Sequence, residues 1–473
     1  MLYAKHRWFR RQFGFLRRQF FQEGELPFTD VLSEECISPA LAEIDSEWKD
    51  RIFSPLVTLW VCLSQVLSVD HSCRGAVARL IAHRVSRGQS PCSSRTGAYC
   101  QARKRLPERF FSTVAQLVGR ALDSKVDAKW LWKGKRVYMF DGTTVSMPDT
   151  VENQEAYPQI YSQKPGLGFP LARIGAIVSL SSGAIVNLGF RKYAGKGQGE
   201  VSLLRELWDI LDPGAVLLGD SLMCNWASIA MLKARGLELV SRMNKSNRRA
   251  DFRKGLRLGK DDHIVQWKKP TSIKALDRKT YNELPDYVTV RETRIRIRQP
   301  GFRTRVFVVV TTLFDPVQTT KEDLAELYRA RWNNELDLRS IKCTMQMDVL
   351  RCKTPELIHK EVWTHVLAYN LIRTMMAQSA SRHEIEPRTI SFKGTLQILE
   401  AFQPLIDFQG QRGVCFRELL HQQLLDVIAQ HRVGNRPGRF EPRRRKCWPR
   451  RFDRMLKPRH VLKREILKGV RDF

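Results

Sequence analysis

The stretch Tyr328 to Lys342, YRARWNNELDLRSIK, governs the reading of this 473-residue chain. Placed on a helix at about 100° per residue, Tyr328, Arg331, Glu335, Arg339 and Lys342 project within roughly 80° of one another. One acid therefore sits in the middle of a basic and aromatic face, with Leu327, Leu338 and Ile341 to one side, where they can pack the helix down. On an isolated helix, a glutamate between cations is ordinarily a solvated salt-bridge network. The other reading is an acid that shares a phosphate with those cations, and it requires further acids delivered from elsewhere in the chain.

Composition supplies the setting. Eighty Lys and Arg against 49 Asp and Glu leave a net charge of +31, in a chain whose 43% hydrophobic content is that of a folded protein. Such a surplus calls for a polyanion. Double-stranded DNA is the expected partner, because each Lys or Arg near a phosphate releases condensed counterions and so adds affinity. A membrane surface is the weaker alternative for such a charge; the chain has no apolar run of the roughly 18 residues needed to span a bilayer, and no membrane partner is expected. The basic N-terminus (Lys5, Arg7, Arg10, Arg11) runs on into Arg17 and Arg18, where a secretory signal would be apolar, and a cytoplasmic, nucleoid-associated location is expected. The ten cysteines form no CxxC pair, and His71, His83 and His263 are isolated, so reduced structural thiols and no zinc site are expected.

Residues 1–130 read as a helical DNA-binding region. Pro55 to Leu67 is an apolar helix, and Ser72 caps a second helix from Cys73 to Val85. After GQSPCSS, the stretch RTGAYCQARKRL carries Arg103, Lys104 and Arg105, either as a groove-reading element or as a solvated basic face. From Lys135 strands and helices alternate: Arg136 to Phe140, ending on Asp141; a hairpin of Leu171 to Leu180 and Ala184 to Phe190; a helix from Glu200; Ala215 to Leu218, delivering Asp220; a helix from Asn225; and Leu237 to Ser241. That order is α/β and matches a ribonuclease-H-like core, 131–242, resumed at 314–380 with the quoted helix, taken as continuous from Lys321 to Lys342. Between the two halves, 243–313 reads as a β-rich insertion, with a bulge or bend expected near Arg291 to Thr293 where the apolar phase flips. A helical region, 381–431, and a Pro-interrupted basic tail, 432–473, follow. From Arg432 to Arg464 that tail holds 14 Lys or Arg and two acids, and an extended arm on nucleic acid is expected.

The further acids are present. Asp141 and Asp220 each follow a short apolar strand and so point into the crevice at the carboxyl edge of a sheet. Glu335 is offered by the helix. Three carboxylates suit two Mg²⁺ ions about 4 Å apart, one activating the nucleophile and one stabilising the leaving oxygen. Asp149, Asp212, Asp262 and Asp348 lack an apolar strand to deliver them.

With these residues in place, the spacing Tyr328, Arg331, Glu335, Lys342 resembles the YREK signature of DDE transposases of the insertion-sequence four family. Asp141 in FDGT and Asp220 in LLGDS resemble that family's two aspartates, and the blocks SCRGAV, TGAYCQARKRLP and QKPGLGFP are also similar to one of its branches. The resemblance implies that Asp141, Asp220 and Glu335 hold the metal ions, Mg²⁺ with Mn²⁺ as a substitute. It implies that Tyr328, Arg331 and Lys342 hold the phosphate backbone with Arg339 as a helper, and that the active complex is a homodimer. It further implies cut-and-paste chemistry, in which water cleaves at the element ends, often through a hairpin, and 3′-hydroxyls attack target DNA. Ser221 departs from the charged residue usual after the second aspartate. In relatives a tryptophan of the β insertion stacks on a flipped base; Trp267 is the candidate here, with core packing as its other reading. Two further functions fit the same composition: a non-catalytic DNA-binding regulator, and a structure-selective nuclease on the same fold.

Overall fold

The structure is a computed structural model that describes residues 7–24, 26–44, 51–244, 248–273, 276–297, 305–408, 413–434 and 456–469. Its centre is one mixed sheet of β1 (Val137–Ser146), β2 (Leu171–Ser179), β3 (Ile185–Lys192), β4 (Val216–Gly219), β5 (Glu238–Arg242), β6 (Leu256–Gly259), β7 (Asp262–Lys268), β8 (Tyr287–Ile297) and β9 (Arg305–Thr311). The strands lie in the order β3-β2-β1-β4-β5-β9-β8-β7-β6. β1, β2 and β3 are antiparallel neighbours, and the β2–β3 turn closes at Gly183, whose φ of 77° suits glycine. β4 and β5 run parallel to β1, and they are buried throughout or nearly so, as strands covered on both faces must be.

Two features differ from the sequence reading. First, β1 does not end on Asp141. Its parallel pairing with β4 stops at Met139↔Leu218, but its antiparallel pairing with β2 continues to Ser146↔Leu171. Asp141 therefore lies mid-strand, just past the end of the neighbouring β4. The strands within 243–313 join the same sheet, where β9 pairs antiparallel with β5 and carries β8, β7 and β6 outward. Second, β8 has no bulge: its registers with β7 and β9 run unbroken through Arg291 to Thr293. The phase flips because both faces are covered there. On one, Glu292 accepts from Trp267 Nε1 at 2.7 Å; on the other, Arg291 meets Asp262 at 2.6 Å and the Thr319 carbonyl at 2.7 Å.

Helices cover the sheet. The N-terminal ones form where capping residues stand: the side chain of Ser54 accepts from Val57 N, and that of Ser72 from Gly75 N at 2.9 Å. The helix Glu108–Ser124 lies against β3 so closely that a Cβ at Gly119 would fall 2.3 Å from the Ile185 carbonyl. Behind it runs Pro355–Arg382, 28 residues, buried along most of its length, whose Asn370 bonds both the Ala115 and Ile185 carbonyls. The tail is not wholly extended, since Arg459–Leu467 is a helix whose Arg459 pairs with Asp149 at 2.5 Å and stacks over Phe169. Pro437, Pro442 and Pro449 lie outside the described residues. Among the described residues, no helix is long and apolar enough to cross a membrane, and the nine cysteines are free thiols.

The helix bearing the quoted stretch is not continuous either. It runs Lys321–Ala330, opened by a capping box of Thr320 and Asp323, tightens at Arg331, resumes as Trp332–Arg339, and ends in a π-helical turn, Ser340–Thr344. Around Arg331 the bonds run to the third residue back, Arg331 N to the Tyr328 carbonyl and Asn334 N to the Arg331 carbonyl. The regular 100° projection is only approximate across such a break.

Candidate active site

Each acid singled out by the sequence is held by its own element. Asp141 sits on β1 opposite Ala176, and its Oδ1 accepts from the N–H of Gly142 at 2.8 Å. Asp220 follows β4 directly, and its Oδ1 accepts from Leu222 N at 2.8 Å, an aspartate turn that steers the chain toward the helix Trp226–Ala234. Glu335, on Trp332–Arg339, pairs with Arg331 at 3.0 Å, one turn earlier. That helix packs against β1, the strand that carries Asp141.

Electrostatics tie the three positions together. Burial pushes the Asp141 carboxyl up to about 6; the Gly142 N–H and Arg331 oppose this, while the charges of Glu200 and Asp220 reinforce it. Burial also works against the charge of Arg331, yet Tyr328, Glu335 and Asp141 together hold its pKa above the usual arginine value. Burial raises the Tyr328 phenol, and Asp220 adds to the rise. Arg331 is thus in the field of Tyr328, Glu335 and Asp141 at once. Lys342 reaches the same strand from the π-turn, donating to Thr143 Oγ1 at 2.9 Å, two residues beyond Asp141. The Tyr328 ring packs edge-on against Phe307 of β9, with Arg242 over that phenylalanine. Arg339 is exposed.

Among the described residues, no three His, Cys, Asp or Glu side chains are arranged to hold one ion. The three-carboxylate convergence expected from sequence is therefore not closed, because the Glu335 carboxylate is turned to Arg331. The donors nevertheless suit a hard divalent cation: they are all carboxylate oxygens, and neighbouring acids raise Asp141, a repulsion that a cation relieves.

Two predicted contacts lie elsewhere. Trp267 is 4% exposed; its indole N–H donates to Glu292, its carbonyl accepts from Trp226 Nε1, and Arg248 covers its ring at 4.4 Å. It is a core residue, with no face open to a base. Arg103 is drawn inward by Tyr99, under its guanidinium at 5.4 Å, and by Gln65 at 3.3 Å, whereas Lys104 and Arg105 remain exposed. Three residues escaped the sequence reading. Trp332 is 54% exposed beside Arg331, and its place inside the quoted stretch was a usable signal. Asp337, buried on the inner side of the same helix, takes both oxygens to Arg388 at 2.7 Å and also meets Arg373 and the Tyr369 hydroxyl. Glu200 pairs with Arg173 at 2.7 Å beside Gly142. Neither acid carried a sequence signal, since their arginine partners lie far along the chain.

Two sheet-borne aspartates with a helix-borne glutamate and its arginine are the residue types that metal-dependent phosphoryl transfer uses, and comparisons with known proteins place the chain in the class of DDE transposases. Residues 132–371 match the family model described as Transposase DDE domain, and the chain belongs to that family. It is 28% identical over 441 residues to the Transposase InsG for insertion sequence element IS4 of Escherichia coli (strain K12), covering 91% of each chain. Among solved structures, the piggyBac transposase synaptic complex with hairpin DNA matches with a TM-score of 0.43 and 9% identity, over 87% of this chain and 84% of that one. The protein is a DNA transposase, and the family's cleavage and strand-transfer chemistry depends on divalent metal.

Proposed function

We propose that the chain cuts and rejoins DNA at the ends of its own insertion sequence, using Asp141, Asp220 and Glu335 on a ribonuclease-H-like core. The order β3-β2-β1-β4-β5, three antiparallel strands and then two parallel ones, supports that core. The observation that carries the reading is Arg331, which serves Tyr328, Glu335 and Asp141 together and so joins the basic helix face to the acid strand.

In this reading Asp141 and Asp220 hold the cations from the sheet edge, and Glu335 turns from Arg331 to join them. Two Mg²⁺ ions, or Mn²⁺ in their place, supply Lewis-acid activation of the attacking oxygen and stabilise the leaving one. Arg331, once released, is placed to grip the scissile phosphate, with Lys342, Tyr328 and Arg339 on neighbouring phosphates. Trp332, exposed beside that grip, takes the base-stacking role that the buried Trp267 cannot fill. The helical region 1–130 contributes Lys104 and Arg105 to binding double-stranded element ends, and the segment 243–313 widens the DNA-facing sheet. Two copies act together, one on each end. The reading is tested by incubating purified protein with Mg²⁺ and linear DNA bearing its element ends. Nicked and joined products are expected; specific binding with neither product contradicts it and favours a regulator, while cutting without joining favours a nuclease.

A further inference from the structure

Three glycines stand in one row across the antiparallel half of the sheet: Gly142 of β1 faces Gly175 of β2, which faces Gly189 of β3. The helix Glu200–Leu207 lies along this row. A Cβ at Gly175 would fall 2.7 Å from Leu203, and one at Gly189 would fall 2.8 Å from Leu203 and 3.2 Å from Leu207. At the end of the row, a Cβ at Gly142 would fall 2.7 to 2.8 Å from Cγ, Cδ and Oε1 of Glu200. A side chain at Gly142 or Gly175 would make Glu200 or Leu203 shift, since real Cβ atoms essentially never come within 3.0 Å of another heavy atom. The lane thus sets a helix down on the sheet so that a carboxylate, with no apolar side chain in its place, lands on the residue next to Asp141.

That carboxylate is fixed from its other side. Arg173 stands on β2 opposite Thr144, two residues beyond Gly142; it donates to Glu200 Oε1 at 2.7 Å and to the Tyr193 carbonyl at 3.3 Å, and its guanidinium lies over the Tyr193 ring at 5.4 Å. Gly142 in turn donates its N–H to Asp141 Oδ1 at 2.8 Å. One residue therefore carries the Asp141 carboxylate on its N–H and the Glu200 carboxylate against its Cα. This arrangement repeats that of Glu335, another helix-borne glutamate held by an arginine at the rim of the same acids.

We propose that Glu200 is a positioning residue for Asp141: clamped by Arg173 and resting on Gly142, it fixes the peptide whose N–H aims the Asp141 carboxylate and adds negative charge beside the cation site. The proposal rests on the reading of Asp141 as a metal-holding acid. A purely structural Glu200 would tie Arg173 to the helix and leave the metal affinity of the folded protein unchanged.

The test is titration of Mn²⁺ into the full chain without DNA, followed by calorimetry and by the electron paramagnetic resonance of free Mn²⁺. Circular dichroism checks the fold, and element-end binding in EDTA checks the DNA surface. Glu200→Gln keeps the shape and loses the charge; its Mn²⁺ affinity is expected to fall about tenfold or more, the usual effect of removing a group that orients a ligand, with end binding in EDTA as in wild type. Gly142→Ala reaches the same contact from the strand, its methyl displacing Glu200, and is expected to lose a similar factor. The double variant is expected to lose little beyond either single one, because both remove one interaction. Asp141→Asn distinguishes the layers of the argument. If it loses Mn²⁺ while Glu200→Gln or Gly142→Ala binds as wild type does, the role of Glu200 is overturned and the site stands. If losses in the double variant add fully, the proposed path through Gly142 is overturned. If Asp141→Asn itself binds Mn²⁺ like wild type, the underlying site reading fails.

Discussion

Replacing Asp337 by asparagine should destabilise the protein more than any change at the exposed face of the same helix. Asp337 is 1% exposed, and its carboxylate meets Arg388, Arg373 and the Tyr369 hydroxyl. Arg388 continues to the carbonyls of Ser179 and Leu180 at 2.6 and 2.7 Å, so one buried acid ties the Trp332–Arg339 helix to both the β2–β3 turn and the long helix Pro355–Arg382. Removing its charge leaves the buried Arg373 without its anion, and breaking a buried pair from one side costs about 3–5 kcal/mol. Glu335→Gln, by contrast, breaks a pair whose side chains are 20% and 37% exposed, a one-turn helix pair of roughly 0.3–0.5 kcal/mol at most. A chain of this length unfolds in parts, so the assay combines urea denaturation with hydrogen exchange of peptides spanning 321–344. Asp337→Asn is expected to lower the urea midpoint and speed exchange in that segment, with Glu335→Gln close to wild type in both. An Asp337→Asn protein less than about 1 kcal/mol below wild type would refute the claim that the buried pair anchors this helix.

Other outcomes follow from the same geometry. Arg331→Ala and Lys342→Ala are each expected to weaken binding to cleaved element ends and to make its salt dependence shallower, since one fewer phosphate is neutralised, whereas Arg103→Ala should mainly lower the melting temperature by exposing the Tyr99 and Gln65 contacts. Trp332→Ala is expected to reduce cleavage or hairpin formation in a folded protein, while Trp267→Ala should lower the melting temperature by removing the indole between Glu292 and Arg248; the opposite pattern would restore Trp267 as the stacking residue. His71, His83 and His421 are each pushed down by burial to about 4. Their folded values lie below the unfolded value near 6.5, so the neutral ring favours the folded state. That contribution is intact above about pH 6.5 and lost as the pH falls toward 4, so the melting temperature should decline across that window. Replacing the three histidines with apolar residues should flatten the decline.

Much of the framework was legible because it is written in local pattern. The hairpin of β2 and β3, the strand delivering Asp220 and the helices capped by Ser54 and Ser72 depend on alternation, apolar runs and capping hydroxyls that a linear reading detects. What was not legible depends on partners distant in sequence. The stretch Asp141 to Ser146 is polar enough to pass for a loop, yet it continues β1 because β2 pairs with it throughout. The break at Arg331 has no glycine or proline to mark it, and it coincides with a side chain in the field of Tyr328, Glu335 and Asp141. Arg103 looked like surface charge because its partner Gln65 comes from another helix. Asp337 and Glu200 passed as ordinary helix acids because Arg388 and Arg173 lie 51 and 27 residues away. Position along the chain identified the three catalytic candidates; only packing shows which arginine holds which acid.

The central claim is that Glu335 acts on the phosphodiester while the cations around it hold the DNA, and a single paired experiment tests it. Wild type and Glu335→Gln are compared for element-end binding by mobility shift in Ca²⁺ and for strand cleavage on the same DNA in Mg²⁺. The account predicts equal binding, with cleavage by wild type and none by the variant. Cleavage by Glu335→Gln at the wild-type rate, or loss of end binding in step with loss of cleavage, would contradict it.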